Sequence, residues 1–168
     1  SKYNTMFHRS PSLKELMASE LPPLYQQKRL LFRPSYWQVS HVYTLVNDAV
    51  FSNVLRKPEI IVKPRCRTYW GMCTGATNRE KTGSYCKIHL MDKWISIQWM
   101  VATVAHEMVH QYQWDIEGPE RESEGKESIM SHGPSFFKFR DLLLEHDIPL
   151  KTAHSQRRWY IYQDLFKC

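Results

Sequence analysis

His106, Glu107 and His110 stand in the order His-Glu-Met-Val-His within a stretch whose apolar residues recur at helical spacing. Residues four apart on a helix differ by about 40° in direction and about 6 Å in rise, so both imidazoles leave from one face and can grip one ion. Imidazole nitrogens bind zinc at about 2.0–2.1 Å, and a catalytic zinc keeps one position open for water. Glu107 projects about 100° round the helix, too far to be a direct ligand yet able to reach that water. A metal brings the pKa of such a water towards about 7, and a carboxylate placed there takes its proton as the oxygen attacks a carbonyl. With 8 histidines and 11 glutamates in 168 residues, the pattern is expected by chance roughly 0.02 times.

A catalytic zinc needs a third protein ligand. His132 is the best placed, because Gly133-Pro134 opens a helix directly after it and holds it at a fixed position. His146 at a helix end, His154 in the tail, and acids such as Glu117 and Glu124 are the alternatives.

These residues need elements to position them. The decisive helix is predicted from Ile95 to Asp115, with Val101, Val104, Ala105, Met108 and Tyr112 on its buried side, which leaves the histidines facing a cleft. Two helices precede it. One runs from Ser12 to Leu21 and is stopped by Pro22-Pro23; the other runs from Ser35 to Leu55, with Val39, Val42, Tyr43, Val46, Val50 and Val54 on one stripe and Pro58 closing it. Strands are predicted over Glu59 to Thr68 and Ser84 to Asp92, with Gly71, Gly75 and Gly83 bounding a turn-rich segment between them. In the second strand Cys86, Ile88 and Leu90 point one way, and Tyr85, Lys87, His89 and Met91 the other. Downstream lies a loop from Ile116 to Gly133. A helix over Ser135 to His146 follows, with Phe136, Phe139, Leu143 and Leu144 mostly inward, and then a tail with a strand near Trp159 to Tyr162.

The composition, 42% hydrophobic and 24% charged, excludes disordered, collagenous and low-complexity classes, and 168 residues suit one compact domain. No apolar run is long enough to span a membrane, and the first residues lack the apolar core of a secretory signal. The expected location is therefore intracellular. The net charge of +6 is unevenly spread: residues 1–70 carry +7, whereas residues 116–133 carry −3. A basic surplus of this kind suits a polyanion such as nucleic acid. Arg65, Arg67, Tyr69 and Trp70 combine charge with stacking surfaces and are the candidate single-strand contacts, against the plainer reading of a solvated basic face with core aromatics. Cys66, Cys73, Cys86 and His89 invite a second-metal reading, but Cys86 and His89 would face opposite sides of a strand. Reduced thiols, with Cys168 incidental, are the expectation.

His106-Glu107-Met108-Val109-His110 followed by His132-Gly133-Pro134-Ser135-Phe136-Phe137 resembles the SprT-like metalloproteases, the group that includes the Spartan proteases of DNA-protein crosslinks. Leu45 to Phe51, Gly83 to Leu90, and Ile148-Pro149-Leu150 with Thr152 and His154 are similar to further segments of that family, so the likeness covers roughly residues 35–155. It implies an α+β fold: a small, minigluzincin-like zincin domain, with helices packed on a short mixed sheet and the His-Glu-x-x-His helix at its centre. It divides the chain into an N-terminal helical extension over 1–33 and a protease domain over 34–168 within one compact unit. It also implies one catalytic Zn²⁺ on His106, His110 and His132, with Glu107 as general base. The substrate would be a protein on or crosslinked to DNA, cut by an intracellular monomer that contacts single-stranded or junction-containing DNA. Tyr160, Tyr162, His154 and Arg157 are candidates for the second donor to the oxyanion. Two features depart from the family: the segment between His110 and His132 is long and acidic, and no Cys-x-x-Cys pairs are present for a zinc ribbon. A non-proteolytic nucleic-acid-binding domain with a structural zinc is the alternative, and an acid at position 107 argues against it.

Overall fold

In the computed structural model, residues 10–19, 32–64, 70–75, 83–94, 96–118 and 130–152 are described. The Ser12 hydroxyl accepts the Glu15 amide and the Glu15 carboxylate reaches back to the Ser12 amide, a reciprocal cap that starts a short helix, α1, over Leu13–Met17. α1 ends well before the two prolines expected to stop it. Ser35 and Gln38 form the same device at the head of α2, Tyr36–Phe51. Pro58 does not close this helix. It ends because Ser52 and Asn53 take left-handed backbone (φ 52° and 59°), while the Asn47 side chain holds the amide and carbonyl of Leu55. Val54 therefore lies beyond the helix and is exposed, while Val39, Val42, Tyr43, Val46 and Val50 form the buried stripe as expected.

Three strands follow: β1 over Glu59–Val62, β2 over Gly71–Gly75 and β3 over Cys86–Leu90. Their order is β1-β3-β2, with β1 parallel and β2 antiparallel to β3, so the sheet is mixed. β2 falls where the glycines predict only turns. Its glycines serve close approach instead: a Cβ on Gly71 would lie 2.7 Å from the Thr103 methyl, and one on Gly75 would lie 2.5 Å from the Trp114 ring. Along β3, Cys86, Ile88 and Leu90 are buried and Lys87 is exposed, as the alternation predicts.

α3, Ile97–Tyr112, begins at Ser96, whose hydroxyl accepts the Trp99 amide, and its last turn widens into a π-helical turn over Gln113–Glu117. α2 and α3 pack on each other, α2 lies against β1, and α3 crosses β2 and β3. Ile97, Met100, Val101, Val104, Ala105, Met108 and Val109 are all buried, so α3 is covered nearly all round and is the centre of the core. The helix predicted from Ser135 to His146 is two short pieces, α4 (Pro134–Phe137) and α5 (Arg140–Leu144). Phe136 and Leu143 are buried, but the break turns Leu144 outward. Among the described residues no helix is long and apolar enough to cross a membrane.

One buried polar residue pins α3 to its surroundings. Gln111 is fully buried, donates to the Arg56 carbonyl (2.7 Å) and the Asp115 carboxylate (3.1 Å), and accepts from the Tyr43 hydroxyl (2.8 Å). Asp115 in turn accepts from Ser84 and from the Tyr85 amide at the start of β3. Removing the amide strands several buried groups, each costing about 1–3 kcal/mol. Gln111→Leu is therefore expected to lower unfolding free energy by about 3 kcal/mol or more in a urea titration, whereas the surface change Lys87→Ala stays within about 0.5 kcal/mol.

Candidate metal centre

α3 presents His106 and His110 on one face, and the segment leading into α4 brings His132 to meet them. The three Nε2 atoms form a triangle: 3.2 Å from His106 to His110, 3.1 Å from His110 to His132 and 3.2 Å from His132 to His106. Three nitrogens bound tetrahedrally at about 2.05 Å from one ion would lie about 3.3 Å apart. The histidines thus lie close enough to hold a metal ion. Gly133 and Pro134 open α4 directly after His132, as expected, and Phe136 of that helix sits beneath all three rings at centroid distances of 4.8, 5.0 and 4.8 Å.

The far nitrogens decide what these near ones can do. His106 Nδ1 lies 2.9 Å from the Lys151 carbonyl, which can only accept, so Nδ1 carries the proton. His110 Nδ1 lies 2.8 Å from Gln113 Oε1, and the Gln113 amide nitrogen is spoken for by the Ser131 carbonyl at 2.9 Å, so here too Nδ1 carries the proton. Both Nε2 atoms are then bare acceptors facing each other. Two lone pairs at that distance do not bond to each other, but a cation between them satisfies both. Burial pushes His110 from 6.5 down to about 4, with the Gln113 acceptor working against that and His132 adding to it, and burial also lowers His132. Neutral imidazoles at ordinary pH are the state a metal requires.

Glu107 lies 4.0 Å from His106 Nε2 through Oε1, outside the triangle but within reach of a small molecule bound to it. Burial pushes its carboxyl from 4.5 up to about 8, opposed by the backbone N–H of Cys73. A divalent cation nearby would draw it down again. Gly71 makes room for this side chain: a Cβ there would lie 3.2 Å from Glu107 Cγ. The three histidines, Glu107, Met130 and the β2 residues Gly71 to Cys73 wall a cleft of about 220 Å³.

The other predicted site residues fare differently. Trp70, a candidate for stacking on bases, is a core residue: it is buried and packs against Trp94 and Trp99 at centroid distances of 5.3 and 5.6 Å, so no base can reach its face. Arg65, Arg67, Tyr69, Cys66 and Cys168 lie outside the described residues, as do the oxyanion candidates His154, Arg157, Tyr160 and Tyr162 and the strand expected near Trp159. Of the alternative third ligands, Glu117 pairs instead with Lys138 at 2.6 Å, and Glu124 is not among the described residues. Cys73 and Cys86 are free thiols; the hydrogen bond to Cys86 and then burial raise the Cys73 thiol. Among the described residues no second group of His, Cys, Asp or Glu converges as the histidines do. Gln113, Lys151 and the place of Phe136 at the site are not marked by the sequence reading. Gln113 stands one helical turn after His110, a spacing that could have pointed to it. Phe136 reads as an ordinary core residue. No protein-family model and no curated protein matches this chain.

The buried carboxyl has a thermodynamic signature in the metal-free protein. A folded-state pKa raised from 4.5 to about 8 contributes stability that is fully present below pH 4.5 and is lost as pH rises through 8. Glu107→Gln removes that loss. In urea titrations with a chelator, the variant should be the more stable protein, by a margin widening from pH 5 to pH 8 to a few kcal/mol. His110, whose contribution falls away as pH drops from 6.5 towards 4, is common to both proteins and cancels. A margin that does not change with pH would show that the acid is not buried in this way.

Proposed function

We propose that this chain is a zinc-dependent metallopeptidase of the SprT-like kind that hydrolyses peptide bonds. The observation that carries the reading is a buried carboxyl group whose Oε1 lies 4.0 Å from His106 Nε2, beside three imidazoles close enough to hold one metal ion, all lining one cleft. His106, His110 and His132 would hold the zinc, which when bound would supply Lewis acidity towards a carbonyl and towards water. Glu107 then does the proton work. It accepts the proton of the attacking water as the new C–O bond forms, and returns it to the departing amine as the C–N bond breaks. Bound zinc would draw the Glu107 carboxyl below its metal-free value of about 8, so that it could take the proton near neutral pH. A site closed for structure alone would call for a fourth Cys or His and would have no use for this acid.

The resemblance extends the proposal to proteins associated with or crosslinked to DNA, cut by an intracellular monomer. The basic surplus of residues 1–70 supports it, since Arg33, Arg56, Lys57 and Lys63 are exposed, although Trp70, buried in the core, offers no stacking surface.

Metal analysis and a cleavage assay on a basic DNA-bound protein, run with and without single- and double-stranded DNA, test these statements together. Wild type should hold about one zinc per chain, and His110→Ala should lose it. Glu107→Gln should keep the zinc and lose activity by about 10²-fold or more. Cleavage by this variant at the wild-type rate would remove Glu107 from the mechanism, and cleavage indifferent to DNA would remove the DNA-associated substrate.

A further inference from the structure

Gln113 does more than occupy core space. Its amide is fully buried and every polar atom on it is committed: Oε1 to His110 Nδ1 at 2.8 Å, and Nε2 to the Ser131 carbonyl at 2.9 Å and the Ser135 hydroxyl at 2.8 Å. The two ends of the amide face different parts of the metal centre. One touches the second ligand of α3; the other grips the residues on either side of His132. Their order is fixed, because a carbonyl oxygen only accepts. Ser131 therefore demands the nitrogen, which turns the oxygen to His110, which places that ring's proton on Nδ1 and leaves Nε2 bare towards His106 and His132.

We propose that Gln113 is the positioning residue of this centre, setting the tautomer of His110 and fastening the His132 segment to α3 with one planar group. The proposal rests on the reading of the three histidines as ligands. Neither bond depends on a metal being bound, so the arrangement prepares the site before the ion arrives. Partners of ligating imidazoles typically account for 10–100-fold in metal affinity.

Two variants separate positioning from packing. Gln113→Met keeps length and apolar bulk and removes both bonds; Gln113→Glu keeps an acceptor for His110 and removes the donor to Ser131. Ring-nitrogen NMR of the metal-free proteins should find His110 protonated at Nδ1 in wild type and in Gln113→Glu. In Gln113→Met that preference should be lost. Zinc affinity measured by chelator competition should fall about 10–100-fold in Gln113→Met, and the Co²⁺ d–d spectrum should change shape. If Gln113→Met does not fold, Gln113→Glu carries the test: it should retain the Nδ1 proton while its zinc affinity drops, and wild-type affinity would overturn the fastening role. An unaltered tautomer or an unaltered affinity in folded Gln113→Met overturns the proposal. Should wild type itself take up no zinc, the ligand reading fails and the fastening of a metal centre with it, while the tautomer comparison still judges the bond to His110.

Discussion

Three imidazole nitrogens meet 3.1–3.2 Å apart, and two of them, on His106 and His110, are turned to one another as acceptors by what holds the far side of each ring. Left to themselves, the imidazoles would rotate until one donated to another. The Lys151 carbonyl and the Gln113 amide prevent this for His106 and His110 by occupying the far nitrogens. The helix carrying them cannot yield, because α3 is buried on nearly every side and Gln111 ties it to the Arg56 carbonyl and to Tyr43. Two acceptors facing each other inside a packed core are the kind of local conflict that a bound cation would relieve.

The same burial that sharpens the histidines complicates Glu107. Water exclusion favours neutral imidazole and neutral carboxylic acid alike, which is why one group falls to about 4 and the other rises to about 8. The two shifts move in opposite directions on the pH scale but have one cause. A cation bound to the triangle reverses the balance for the acid without charging the imidazoles. The edge strand β2 takes part in this: Gly71 gives up a side chain so that Glu107 can stand close, and the Cys73 amide offers the carboxylate a donor.

Much of the centre was legible in the residues because helix geometry is regular: a four-residue spacing fixes the direction of His106 and His110 before any fold is known. His132 was readable for a related reason, since Gly133-Pro134 announces a helix start. What escaped depends on contacts distant in sequence. β2 was hidden because Gly71 and Gly75 look like turn residues until Thr103 and Trp114 are seen pressing on them. Trp70 looked like a stacking surface because Arg65 and Arg67 are its neighbours in the chain, whereas its neighbours in space are Trp94 and Trp99. The end of α2 is not legible from Pro58, because Asn47, one turn before the helix ends, holds the backbone of Leu55 beyond it.

Phe136 gives the centre a direction. Its ring is nearly equidistant from the three imidazoles yet takes no part in walling the cleft, which is lined by Glu107, Met130 and β2. The three imidazoles thus share contact with an aromatic ring that has no donor to offer, while Glu107 belongs to the lining of the cleft. Against that ring the imidazoles meet no hydrogen-bonding group, so the nitrogens find their polar surroundings elsewhere, at Lys151, at Gln113 and in the cleft.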